Sequence, residues 1–134
     1  MLKNLSSGTK ISITRSIKTS FEQYMASIQW QENKYDIQDF IAAWRSYINE
    51  NASWYKNLSD ETKNNVEFHQ ELAVKINETI AKILSEEPSE KQVEKLELLQ
   101  GKSGTEYDYS CKLEAKYLIE ILEDKKKHDL HTKD

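Results

Sequence analysis

Apolar residues recur along this chain with a helical period. Ile13, Ile17, Phe21, Met25 and Ile28 follow one another at spacings of four, four, four and three, which places them on one helical face. Tyr24 widens that face, and a first helix is expected over about residues 14–31. Glu32–Tyr35 reads as a short connection. Asp36 is a good N-cap for a second helix running to about Asn57, with Asp39 suited to its first turn. At about 100° per residue, Ile37, Ile41, Trp44, Ile48 and Tyr55 form one line on this helix. Phe40, Tyr47 and Trp54, seven residues apart, form a second line on its flank. The polar stretch Asn49-Glu50-Asn51 is where this helix could bend or split.

Ser59, followed by Asp60 and Glu61, is an N-cap candidate for a third helix reaching about Leu84. Leu72, Ile76, Ile80 and Ile83 carry its stripe. Pro88 ends it, and Ser89 with Gln92 fits a capping box that opens a short fourth helix over about residues 90–100. Gly101 is a natural C′ residue, and Gly101–Thr105 reads as a loop. A fifth helix is expected from Thr105 or Asp108 to about Lys127, with Tyr107, Cys111, Ala115, Leu118 and Leu122 as its stripe. The pattern predicts an all-α fold, a single antiparallel bundle of four long helices plus one short helix. Residues 1–13 are expected as a basic, partly disordered N-terminal segment, residues 14–127 as the bundle and residues 128–134 as a loose charged tail.

Composition agrees with this reading. One proline and three glycines are too few for the turns that a sheet protein of this length requires. Charged residues make up 31% of the chain, but three Trp, seven Tyr and three Phe supply apolar surface that a disordered chain lacks. The net charge is −4, and residues 1–20 hold Lys3, Lys10, Arg15 and Lys18 without an acid. That acid-free start has the composition of a mitochondrial transit peptide. It is read instead as the entry into the first helix, because its apolar positions run straight into that stripe. No nucleic-acid partner is expected from an acidic chain without a basic face. No apolar run approaches the length of a membrane span, and there is no secretory signal segment. With a single cysteine, Cys111, these features predict a cytoplasmic protein. The Lys-, Asn-, Ile- and Glu-rich composition is typical of a low-GC bacterium or its phage.

Chemistry-bearing constellations are sparse. His69 projects into the apolar stripe of the third helix beside Leu72, Ala73 and Ile76, which makes it a candidate buried polar site; a core-edge histidine with one hydrogen bond is the plainer reading. His128 and His131 have a spacing that can hold a metal on a helix, but they sit in the charged tail. Cys111 falls on the apolar face of the fifth helix and reads as core filler. Gly101-Lys102-Ser103-Gly104 lacks the spacing and the preceding strand of a phosphate loop. No metal site or cofactor is expected. Glu120, Glu123 and Asp124 offer a weaker alternative, a small metal-dependent nucleotide hydrolase built on helix-borne carboxylates, though they project away from the apolar stripe. The strongest remaining signal is aromatic. Phe40, Tyr47 and Trp54 are candidates for a partner-binding flank, with a central, doubly packed helix as the alternative. The expected function is a small non-enzymatic protein-interaction module, acting on another protein or by self-association.

Overall fold

The computed structural model describes residues 5–103 and 107–132, with side chains described for residues 5–101 and 107–124. Every regular element among them is helical. The helices are α1 (Ser7–Ser27), α2 (Ile37–Asn51), α3 (Ser53–Lys56), α4 (Asp60–Lys63), α5 (Val66–Ser85), α6 (Glu90–Ser103) and α7 (Lys112–Thr132), with a 3-10 turn at Glu32–Lys34. The fold is all-α. It divides into two compact units, the first ending at Ala81 and the second beginning at Lys82. No helix among the described residues is long and apolar enough to cross a membrane.

In the first unit, Ser6 caps α1: its hydroxyl accepts from the Thr9 amide at 3.1 Å, satisfying one orphan donor of the first turn. The four-residue spacing then buries Ile13, Ile17, Phe21 and Met25. α1 stops four residues before the expected end. Its carbonyls are closed off by two crossed bonds, Gln29 N–H to Ala26 at 3.0 Å and Trp30 N–H to Met25 at 2.8 Å, the pattern of a Schellman cap. The cap requires left-handed backbone at Gln29, and Trp30 after it is left-handed as well, with φ of 57° and 54°. Neither residue is glycine, so each position carries a steric cost of about 1–2 kcal/mol. At Trp30 the ring is also held edge-on to Phe21, with centroids 6.2 Å apart. Gln29 is exposed. Gln29→Gly should therefore raise stability by about 0.5–1 kcal/mol, the relief of strain less the extra freedom of the unfolded chain. The urea midpoint of the variant measures this, and a fall in midpoint would refute the strain assigned to this turn.

Asp36 caps α2, its carboxylate accepting from the amides of Gln38 (2.8 Å) and Asp39 (3.3 Å). The Tyr24 hydroxyl ties this cap to α1, accepting from the Asp36 amide at 3.1 Å and donating to its carbonyl at 3.3 Å. α1 packs along α2, and α3 packs on both. One buried polar link crosses the α1–α2 seam. Trp44 Nε1–H donates to Ser16 Oγ at 3.1 Å, and that hydroxyl donates to the Ile13 carbonyl at 2.6 Å.

The second helix splits as the polar stretch suggested. Ala52 is extended, with φ −96° and ψ 109°, and α3 restarts at once, which turns Trp54 inward. The third helix also splits. After α4, capped by Ser59, the chain breaks at Asn64 and Asn65, and the Asn65 side chain accepts from the Phe68 amide at 3.0 Å to cap α5. Phe68, Leu72, Ile76 and Ile80 are buried along α5.

In the second unit, Ser89 and Gln92 form the reciprocal capping box, with bonds of 2.9 and 3.2 Å. Leu96 of α6 packs with Ala115, Leu118 and Leu122 of α7, flanked by Leu99, Tyr109, Tyr117 and Ile119. The Gln92 side chain donates to the Lys112 carbonyl at 3.2 Å, and Lys95 pairs with Glu123.

Further boundaries differ from expectation. Residues 7–13 are helical, because the Ser6 cap starts α1 early and Ile13 belongs to its buried stripe. Gly101 lies within α6 instead of ending it; a helix can absorb an exposed glycine at a cost of about 1 kcal/mol. α7 continues to Thr132 and so includes most of the expected loose tail, since once nucleated a helix propagates through residues that do not oppose it. The rest of the expected Gly101–Thr105 loop, at Gly104 and Thr105, lies outside the described residues.

Candidate functional site

Phe40, Tyr47 and Trp54, the expected partner-binding flank, do not lie together on one exposed face. Phe40 is fully buried and Trp54 is 8% exposed, while Tyr47 is half-buried. Phe40 is enclosed by aromatic neighbours: Phe21 lies edge-on at 5.4 Å and Tyr24 tilted at 5.9 Å. Tyr35 and Trp30 close the same cluster through Phe21. Partial burial, with Tyr24 and Asp36 nearby, raises the pKa of the Tyr35 phenol. Trp54 packs against Trp44 at 6.4 Å and edge-on to Tyr55 at 5.9 Å. A helical wheel cannot separate a docking face from a second internal one, and here two neighbours, the α1–α2 corner and α3, cover the flank.

Tyr47 and Trp54 meet instead at a hydroxyl-lined cleft of about 200 Å³, shared with Ser12, Arg15, Thr19 and Asn51. Trp54 Nε1 is buried and has no acceptor among the described residues. The Asn51 amide is turned onto the Tyr47 carbonyl at 3.3 Å.

His69 is also not where its projection put it. The side chain is exposed, because it lies in the first turn of α5 and reaches back to α4. Its Nε2 meets the Lys63 carbonyl at 2.5 Å. A carbonyl can only accept, so Nε2 carries the proton in this contact. The ring stands edge-on to Phe68 at 6.2 Å. His69 makes a structural bond between α4 and α5, at the rim of a groove.

That groove is what the sequence reading missed. The backbone of α5 approaches α2 less closely than that of α1 does, and a space of about 130 Å³ remains between their side chains. Ile41, Trp44 and Ile48 line it from α2, and Phe68, Leu72 and Ile76 from α5. Arg45, Asn49, Lys63 and His69 supply its polar lining, and no acid takes part. Lys63 Nζ sits 4.7 Å from the centre of the Tyr55 ring, a cation–π position that fixes the ammonium at the edge.

A strip of α5 continues outward from this groove. Val66, Gln70, Ala73, Val74, Asn77 and Ala81 are all exposed. At about 100° per residue, they fall within one charge-free sector beside the buried stripe. Val66 is 69% and Val74 57% exposed. The helical wheel holds this signal, but attention to the inward stripe alone passes over it.

The other candidates stay apart. Glu120 and Asp124 are exposed, and Glu123 is engaged by Lys95; none of them lines either cleft. Among the described residues no group of three or more His, Cys, Asp or Glu is placed to hold a metal ion. Cys111 is fully buried. That burial, the largest influence on it, raises the pKa of its thiol and suppresses the thiolate needed of a nucleophile. The side chains of His128 and His131 lie outside the described residues. Comparison of the chain with protein-family models, curated proteins and solved structures finds no match.

Proposed function

We propose that this chain is a non-enzymatic protein-interaction module whose binding face is the outer strip of α5 together with the adjoining groove between α2 and α5. The observation that carries this reading is the charge-free, exposed strip Val66, Gln70, Ala73, Val74, Asn77 and Ala81. In a chain that is 31% charged, a helix face that only meets water carries mixed charges. Depletion of charge is the compositional mark of an interface centre. A cytoplasmic setting, where lone thiols stay reduced, is part of this reading and is supported by the single free Cys111.

A photo-crosslinking amino acid at position 66 or 74 tests it against the same probe at Glu78, which is exposed on the charged side of α5. The labelled chain is irradiated alone and in extract from the cells that produce it. A discrete adduct is expected from positions 66 and 74 and not from 78; with the probe at 66 it should disappear on Val74→Lys, and with the probe at 74 on Val66→Lys, each variant keeping its helical signal. Equal labelling from all three positions would remove the basis for this face.

A further inference from the structure

We infer that the groove between α2 and α5 receives one large apolar side chain from an acidic segment of a partner protein. This rests on the interaction reading above and adds the chemistry of the partner. The floor of the groove is apolar on both sides, with Ile41, Trp44 and Ile48 facing Phe68, Leu72 and Ile76. Its volume of about 130 Å³ is comparable with that of apolar cavities, about 150 Å³, that hold a benzene ring. A single leucine- or phenylalanine-sized anchor therefore fits, whereas a whole helix face does not. Anchors of this kind, seated in a desolvated pocket, dominate binding energy.

The rim sets the charge of what flanks the anchor. Arg45 and Lys63 line the groove and no carboxylate does, although the chain as a whole has a net charge of −4. Arg45 is exposed and has no ion-pair partner among the described residues, so its guanidinium is free to take a carboxylate in a bidentate fork. Lys63, at the end of α4, is held over Tyr55 at the same rim. His69 Nε2 is occupied by the Lys63 carbonyl, so it shapes the wall and leaves recognition to the two cations. A basic segment would be repelled here, and a purely apolar one would leave both cations without partners.

Selection of random peptides displayed on a surface against the full chain, with depletion on Arg45→Glu, tests the inference. The recovered pool should be enriched in Asp and Glu around a central Leu, Ile, Phe or Trp. By fluorescence anisotropy, the leading peptide should weaken at least tenfold when its anchor becomes Ala, and at least tenfold against Arg45→Glu. Arg45→Glu should keep the urea midpoint of the parent chain, and a version of the peptide with Lys for its acids should regain affinity for it. A pool without acidic enrichment, binding indifferent to Arg45, or equal competition by an oligothymidylate would overturn the inference, the last by showing a general polyanion site. If crosslinking from positions 66 and 74 succeeds while the selection fails, the interaction face stands and the partner chemistry assigned here falls. If both fail, the functional reading falls with it.

Discussion

Phe40→Ala should destabilise the first unit by about 3–5 kcal/mol, the range for removing a fully buried phenylalanine. The ring is the hub of the α1–α2 corner, touching Phe21 and Tyr24, and it has no exposure to lose. Its loss removes transfer energy and leaves a cavity walled by other rings, which cannot collapse without moving the capped ends of both helices. Phe40→Leu keeps most of the volume and should cost less than half as much. Urea unfolding followed by tryptophan fluorescence measures both. A cost below about 1 kcal/mol for the alanine variant, within the range for surface sites, would mean that Phe40 is not the internal residue described here and would restore it as a docking side chain.

The second large effect is polar. Ser16→Ala removes the acceptor of Trp44 Nε1–H at a buried position, and leaving that donor unsatisfied costs about 1–3 kcal/mol. The test that isolates the bond is a double-mutant cycle with Trp44→Phe. Once the indole is replaced in this way, the serine has only its bond to the Ile13 carbonyl left to lose. In that background the same Ser16→Ala change should cost under about 0.5 kcal/mol, because a back-bonded serine contributes little to a helix. The coupling energy should then lie at about 1 kcal/mol or more, in the range for residues in one hydrogen-bond network. Additivity within error would show that the indole and the hydroxyl do not act together. Ser16 carries no sign of this role in the sequence, where it is one of several hydroxyl residues in an acid-free stretch.

The features that can be read from sequence are those set by neighbours one to four residues away. The period of Ile13, Ile17, Phe21 and Met25, the caps at Asp36, Ser59 and Ser89, and the weakness near Asn49–Asn51 all depend on local bonding, and all appear in the structure. Features set by the course of the chain cannot be read in this way. Gln29 and Trp30 adopt left-handed backbone, which the residue types do not announce, and that turn brings Trp30 and Tyr35 back over Phe21. A helical wheel of α2 puts Phe40 on a free flank because its cover, Phe21 and Tyr24, comes from α1. A wheel of the expected third helix puts His69 in the core because it takes no account of the break at Asn64–Asn65, which makes His69 part of a first turn whose ring reaches back to Lys63. The groove depends on the separation of two helices, which no periodicity encodes. Its cations, Arg45 and Lys63, come from two different helices and converge only in three dimensions.

The placement of two rare residue types gives this chain a pair of built-in reporters. Trp30, Trp44 and Trp54, its three tryptophans, all lie in the unit that ends at Ala81, and its one thiol, buried Cys111, lies in the unit that begins at Lys82. Indole emission therefore follows melting of one unit. The rate at which a thiol reagent modifies Cys111 follows opening of the other, because a protected thiol reacts only from the opened population. Both signals come from the unmodified chain in one denaturant series. Coincident midpoints would identify a single cooperative transition and separate midpoints two, so the cooperativity of this molecule can be measured without a substitution.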